Sequence, residues 1–195
     1  MDSNREIEIK LRFGSPEKAL RAVETLGAKL VTAREFEDNV VYDDPDLSLK
    51  NSRRLIRLRR WGDQNLLTFK ARVEGKHRHK VREEVETTVE NPAAIERILA
   101  ELGLKPVYRY QKYRTLYQAR DLHICLDETP VGCFIELEGP PAMIDEAAER
   151  LGFTPDDYVC STYRELHEAA AVASGEPLGD MVFEPRSDAG TSETP

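Results

Sequence analysis

Two glutamates spaced i, i+2, Glu6 and Glu8, open a nine-residue segment, REIEIKLRF (Arg5–Phe13), in which apolar and charged residues alternate without a break. Ile7, Ile9, Leu11 and Phe13 share one parity, and Glu6, Glu8, Lys10 and Arg12 share the other. In a strand, residues two apart leave the same face, with Cα atoms about 7 Å apart at roughly 3.3 Å rise per residue. Two long carboxylate side chains at that spacing converge on one cation. Glu136-x-Glu138 repeats the arrangement, and Asp127 adds a further oxygen donor. An all-oxygen set of this kind suits Mg²⁺ or Mn²⁺ and does not suit zinc.

A cationic set accompanies the carboxylates: Lys10, Arg57, Arg59, Lys70, Arg82, Lys112 and Arg114. Arg offers planar bidentate donors and Lys a point charge, and phosphate oxygens match both. One phosphate does not need so many cations, whereas a triphosphate with a bridging metal uses most of them. The implied ligand is a polyphosphate. Neither a Ser-His-Asp or Cys-His order nor a G-x-x-x-x-G-K-[ST] phosphate loop is identifiable.

The elements that must position these side chains are mostly strands. Alternation or apolar runs predict eight extended segments, at 5–13, 35–44, 55–61, 66–72, 80–89, 108–119, 121–128 and 133–139. Helices are predicted from Ser15-Pro16 to Gly27, from Asn91-Pro92 to Gly103, from Pro140-Pro141 to near Gly152, and starting at 161–167. Nearly every strand owns one apolar row and one row of fixed charges. A sheet with one wet face gives the same alternation. The amphipathic helices, however, need an apolar surface to cover, and the Ile, Leu and Val rows provide it. With helices outside, the charged rows face one another inside a closed or nearly closed barrel, where about eight strands leave room for one small ligand. Such an interior needs a chemical reason, because burying unpaired charge costs several kcal/mol per group. Trp61 shares the parity of Arg57 and Arg59 and is better read as packing than as a stacking platform. His77-Arg78-His79 beside Gly75 reads as a solvated turn.

The 195 residues fit one main domain, expected over residues 1–174, with an acidic tail at 175–195 expected to be disordered. The net charge of −8 argues against the broad basic surface of a sequence-blind nucleic-acid binder, so no nucleic-acid partner is expected. No apolar stretch approaches the roughly 20 residues of a membrane span, and no leader is apparent at the N-terminus. Three cysteines without a C-x-x-C pair read as free buried thiols in a reducing compartment. A cytoplasmic protein is the expectation.

E-x-E-x-K at Glu6, Glu8 and Lys10, R-x-R at Arg57 and Arg59, R-x-E-x-E at Arg82, Glu84 and Glu86, K-x-R at Lys112 and Arg114, then Asp127, Gly132 and E-x-E at Glu136 and Glu138 follow one another in order. This series, with S-x-Y-x-x-L at residues 161–166, resembles the CYTH superfamily, the triphosphate tunnel metalloenzymes. The resemblance covers about residues 5–167. It implies an α+β fold: an eight-stranded antiparallel closed barrel with helices packed outside, binding a triphosphate and a divalent metal. It further implies Glu6, Glu8, Asp127, Glu136 and Glu138 as metal ligands, and Arg57, Arg59, Lys70, Lys112 and Arg114, joined by Arg82, as phosphate grips. Lys10 would hold phosphate or assist proton transfer, with Glu6 and Glu8 beside it in the catalytic set. Glu84 and Glu86 would orient the cations or serve a second metal. The family includes inorganic and thiamine triphosphatases and class IV adenylyl cyclases, sharing a small-molecule triphosphate substrate. Metal-dependent triphosphate hydrolysis is the leading expectation, because no purine-reading element stands out. Cyclic AMP formation from ATP is the alternative, and a polyphosphate-binding module without catalysis a second one. A monomer or homodimer is expected.

Overall fold

The computed structural model describes residues 5–75 and 77–184. Eight antiparallel strands form the frame: β1 (Arg5–Phe13), β2 (Lys29–Asp43), β3 (Arg54–Trp61), β4 (Gln64–Arg72), β5 (Lys80–Thr88), β6 (Lys105–Ala119), β7 (Leu122–Thr129) and β8 (Gly132–Glu138). They close into one barrel in the order β1-β5-β4-β3-β2-β6-β7-β8, which leaves no free sheet edge. The helices are α1 (Pro16–Thr25), α2 (Ser48–Asn51), α3 (Pro92–Glu101), α4 (Pro141–Arg150) and α5 (Tyr163–Ser174). No helix among the described residues is long and apolar enough to cross a membrane.

The core lies outside the barrel. Ile9, Leu11, Ile124, Leu126, Ile135 and Leu137 form the outward rows of β1, β7 and β8, and Ala19 and Val23 of α1 and Ile144 and Ala148 of α4 cover them. α1 and α3 start at capping side chains: Ser15 Oγ accepts from Lys18 N at 3.3 Å and Asn91 Oδ1 from Ala94 N at 3.0 Å, with Pro16 and Pro92 in the first turns. Burying the outward rows fixes the register. A slip by one residue would turn the ionic row into the helix interface. Glu8 therefore stands opposite Lys80 on β5 and Glu138 on β8, and Lys10 opposite Glu136.

The structure departs from the sequence reading in four places. β2 begins at Lys29, earlier than the alternation at 35 indicates, because it pairs with the long β6 through register shifts. α2 has no periodicity to read in four residues; Asp43 builds it, accepting from Leu49 N at 3.0 Å and Lys50 N at 2.9 Å. The inner face is not charged throughout: Val41, Tyr108 and Phe134 make one inward patch apolar, and Tyr163 of α5 and Met181 cover it. Disorder is expected from residue 175 on composition, yet Met181 pairs with β6, through Met181 N to Arg109 O at 3.0 Å and Gln111 N to Met181 O at 2.8 Å. Met181 is buried, and an apolar anchor outweighs the polar composition around it. Residues 185–195 lie outside those described.

Candidate functional site

The inward rows of β1, β3, β4, β5, β6 and β8 face a cavity of about 910 Å³. Thirteen Lys and Arg side chains and nine Asp and Glu line it, so this cavity is locally basic in a chain of net charge −8. Glu6, Glu8, Lys10, Arg57, Arg59 and Lys70 reach this space, as do Arg82, Lys112, Arg114, Glu136 and Glu138. Asp127, also expected there, lies beneath the cavity wall at 0% exposure.

Carboxylates of β1 and β8 and lysines interlock on one side. Glu6 takes Lys70 Nζ at 2.7 Å on both oxygens, and Glu84 takes the same ammonium at 3.0 Å. Glu8 Oε1 is bracketed by Lys10 Nζ at 2.9 Å and Lys80 Nζ at 2.5 Å. Lys10 also lies 3.2 Å from Glu136, which pairs in turn with Arg114. Burial would push the Glu8 carboxyl up, but Lys10 and Lys80 outweigh it and hold the group below the usual carboxylate range. Burial would likewise strip the Lys10 proton, and Glu8 and Glu136 hold its value above the ordinary one. Lys10 is thus a fixed ammonium, a hydrogen-bond donor to anionic oxygen. Glu138 differs from its neighbours: burial, then the charges of Glu6 and Glu8, push it up to about 7.

Asp127, on β7, organises the adjoining part of the wall, joined to the first cluster through Arg114. Its Oδ2 accepts from Lys112 Nζ at 2.9 Å, Arg114 Nη2 at 2.6 Å and Tyr163 Oη at 2.8 Å, and its Oδ1 accepts from Arg114 Nε at 2.7 Å. Both oxygens are committed to donors, so the geometry makes Asp127 a support for Lys112 and Arg114. Glu37, 0% exposed, does the same for Arg59 at 3.4 Å and Lys112 at 3.5 Å. Arg57 is held by Tyr110 Oη at 2.8 Å, Thr68 Oγ1 at 3.1 Å and Glu86 at 3.6 Å. Glu84 and Glu86, whose roles the motifs leave open, therefore orient Lys70 and Arg57 here.

Sequence reasoning does not find Glu37, Asn39, Lys80, Tyr110 or Tyr163 as members of this site. Glu37 and Asn39 were legible, since they share a parity and continue the inward row of β2. Tyr163 stands in the S-x-Y-x-x-L motif, but strand parity does not place it, because it enters the barrel from a helix. Trp61 does not line the cavity, in keeping with a packing role. Of the 77–79 turn, Arg78 is exposed, but His79 packs inward, with Nε2 2.9 Å from Asp145 Oδ1. Cys125 and Cys133 are buried free thiols, and Cys160 is exposed.

Among the described residues no group of three or more His, Cys, Asp and Glu side chains stands ready as a metal cage. The donor chemistry nevertheless fits a hard divalent cation. Glu138 stands beside Glu6 and Glu8, and burial, then their charges, raise its carboxyl to about 7; a divalent cation bound here would offset both costs. Lysines occupy the positions that a cation would contest.

The sequence matches the CYTH domain family over residues 4–151. Among solved structures, the chain is similar to a candidate adenylate cyclase from Vibrio parahaemolyticus (18% identity, TM-score 0.71, 84% of this chain and 97% of that one). It is also similar to PH1012 from Pyrococcus horikoshii OT3 (26% identity, TM-score 0.70, 83% of this chain and 98% of that one). A third is HpAC1 from Hippeastrum, a candidate adenylyl cyclase described as having a dominant triphosphatase activity (20% identity, TM-score 0.57, 89% of this chain and 97% of that one). No curated protein matches the sequence. The family match spans most of the chain, and the closed barrel with an ionic interior is the architecture that its motifs imply: the chain belongs to the CYTH family.

Proposed function

We propose that the protein is a divalent-metal-dependent phosphohydrolase acting on a triphosphate, be it inorganic tripolyphosphate, thiamine triphosphate or a nucleoside triphosphate. One observation carries this reading: Arg57, Arg59, Lys70, Lys112 and Arg114 share a cavity with Glu6, Glu8, Glu136 and Glu138. A module that only bound polyphosphate could dispense with the carboxylates. The CYTH family is metal-dependent in general. Glu6, Glu8, Glu136 and Glu138 would hold Mg²⁺ or Mn²⁺, which when bound supplies charge neutralisation on phosphate oxygens. The chain's own part is to grip and orient. Arg57, Arg59, Lys112 and Arg114, braced by Tyr110, Glu37 and Asp127, fix the phosphates. Lys10 donates to an anionic oxygen beside Glu8. The hydroxyls of the lining residues Tyr108, Tyr110 and Tyr163 are committed to His167, Arg57 and Asp127, so these three offer a purine no free hydrogen-bonding group, which favours hydrolysis over cyclisation.

Colorimetric phosphate release from tripolyphosphate, thiamine triphosphate and ATP, each with Mg²⁺, Mn²⁺ or EDTA, tests the reading. Orthophosphate that disappears with EDTA supports it; pyrophosphate with cyclic AMP identifies a cyclase, and binding without turnover identifies a sensor. Arg57→Ala should chiefly raise KM for the triphosphate, by tenfold or more, since a charge-assisted hydrogen bond contributes about 1.5–3 kcal/mol; an unchanged KM contradicts its role as a grip. Lys80→Met should tighten Mn²⁺ binding to the substrate-free protein about tenfold in calorimetry, because it removes one of the two ammonium groups competing for Glu8 Oε1. Weaker or unchanged binding would place the metal away from Glu8.

A further inference from the structure

The cavity is larger than three phosphates require, at about 910 Å³ near the top of the roughly 300–1,000 Å³ that suits a drug-sized ligand. Three cations on its rim belong to no motif: Arg53, Arg54 and Arg72, where β3 begins and β4 ends. All three are exposed, and no carboxylate lies within ion-pair distance of them among the described residues; Arg54 donates only to Ser52 Oγ, at 2.8 Å. In a chain of net charge −8, three uncommitted guanidinium groups on one rim are not background.

The rim is also built. Arg53 sits at φ +58°, a left-handed conformation that costs a non-glycine residue of order 1–3 kcal/mol and persists only where the surroundings impose it. Its carbonyl accepts from Arg72 N at 3.2 Å and from Arg82 Nη1 at 3.0 Å, tying the start of β3 to β4 and β5. This clamp fixes the backbone from which Arg53 and Arg72 project at the cavity entrance.

We propose that Arg53, Arg54 and Arg72 form a subsite for phosphates beyond the third, so that the substrate class is linear inorganic polyphosphate longer than tripolyphosphate, threaded end-on; this rests on the hydrolase reading above. Planar five-donor groups suit successive phosphate oxygens, and among the described residues the one exposed aromatic side chain lining the cavity is His77, whose Nε2 lies 3.2 Å from Glu74 O. In the reaction the terminal phosphoanhydride P–O bond breaks and water oxygen bonds to the terminal phosphorus. Orthophosphate and a chain one phosphate shorter leave, with one proton passing to solvent.

The test compares wild type with Arg53→Asn/Arg72→Gln, Asn being chosen because it tolerates the left-handed backbone. Phosphate release is followed on tripolyphosphate, long-chain linear polyphosphate, ATP and a 5′-triphosphorylated oligoribonucleotide. Binding of long-chain polyphosphate is measured separately by calorimetry in EDTA. The expected result is tripolyphosphate turnover within about twofold of wild type, with kcat/KM and affinity for the long chain each down about tenfold or more. Equal losses on both inorganic substrates, no loss on the long chain, or a loss confined to ATP or to the oligoribonucleotide overturns the subsite. If wild type releases phosphate from nothing, the hydrolase reading fails on its own. The calorimetry then still decides: weaker binding by the variant supports the subsite, and equal binding overturns it.

Discussion

Glu138→Gln should abolish triphosphate turnover, by well over the roughly 10–100-fold that outer-shell partners of a metal cost, and should leave the empty barrel more stable at alkaline pH. Both effects come from one physical fact. Glu138 faces Glu8 across the β1–β8 pair, and burial, then the charges of Glu6 and Glu8, raise its carboxyl to about 7. An unfolded Glu titrates near 4.5. The folded protein therefore binds the extra proton more tightly than the unfolded chain. The stability from this group is fully present below about pH 4.5 and is lost as pH rises through 7; a gap of that size corresponds to roughly 3 kcal/mol. Gln keeps the shape and removes the ionisation. Urea unfolding in EDTA should show the variant exceeding wild type by up to about 3 kcal/mol at pH 8 and by little at pH 4.5. A difference independent of pH would mean that Glu138 is not crowded by its neighbours. Retained turnover would remove it from the proposed metal set, since Gln supplies no charge to a divalent ion.

What the sequence revealed of this arrangement, and what it hid, follows from periodicity. β1 is legible residue by residue, because Glu6, Glu8 and Lys10 alternate with Ile7, Ile9 and Leu11, and the structure turns the first row inward and the second toward α1 and α4. The closed shape is legible only indirectly, through helices whose apolar stripes need a sheet face to cover. Position two in a strand says which face a side chain leaves, not which neighbour it meets. The carboxylates of Asp127 and Glu8 are alike in parity, yet Asp127 is enclosed by Lys112, Arg114 and Tyr163 while Glu8 borders the cavity between two lysines. Lys80 escaped notice because Glu83 blurs the alternation of β5, although Lys80, Arg82, Glu84 and Glu86 share one parity. The fastening of Met181 to β6 rests on a single apolar residue in a polar stretch, which no composition window resolves.

Asp127→Ala should be the most destabilising single substitution in the barrel, at about 3–5 kcal/mol, because it leaves buried cations without their counter-charge. Asp127 accepts four hydrogen bonds from three residues, of which Lys112 and Tyr163 are buried and Arg114 nearly so, and no single water in its place supplies their negative charge. Glu37 and Glu136 stay close to Lys112 and Arg114 and limit the damage, which keeps the expectation in that range and not above it. For a domain of this size the loss corresponds to a fall in Tm of about 6–20 °C. The variant separates a support role from a metal-ligand role by its response to anions. If Asp127 serves chiefly to balance Lys112 and Arg114, tripolyphosphate added in EDTA supplies the missing negative charge and should raise the variant's Tm by more than it raises that of wild type. If Asp127 instead acts by holding a metal, the variant in EDTA should unfold close to wild type, and the deficit should appear only when Mn²⁺ is added. Scanning calorimetry of both proteins with each addition distinguishes the two. A variant within about 2 °C of wild type in EDTA would mean that the four hydrogen bonds contribute little, and that Lys112 and Arg114 are held in place by Glu37 and Glu136.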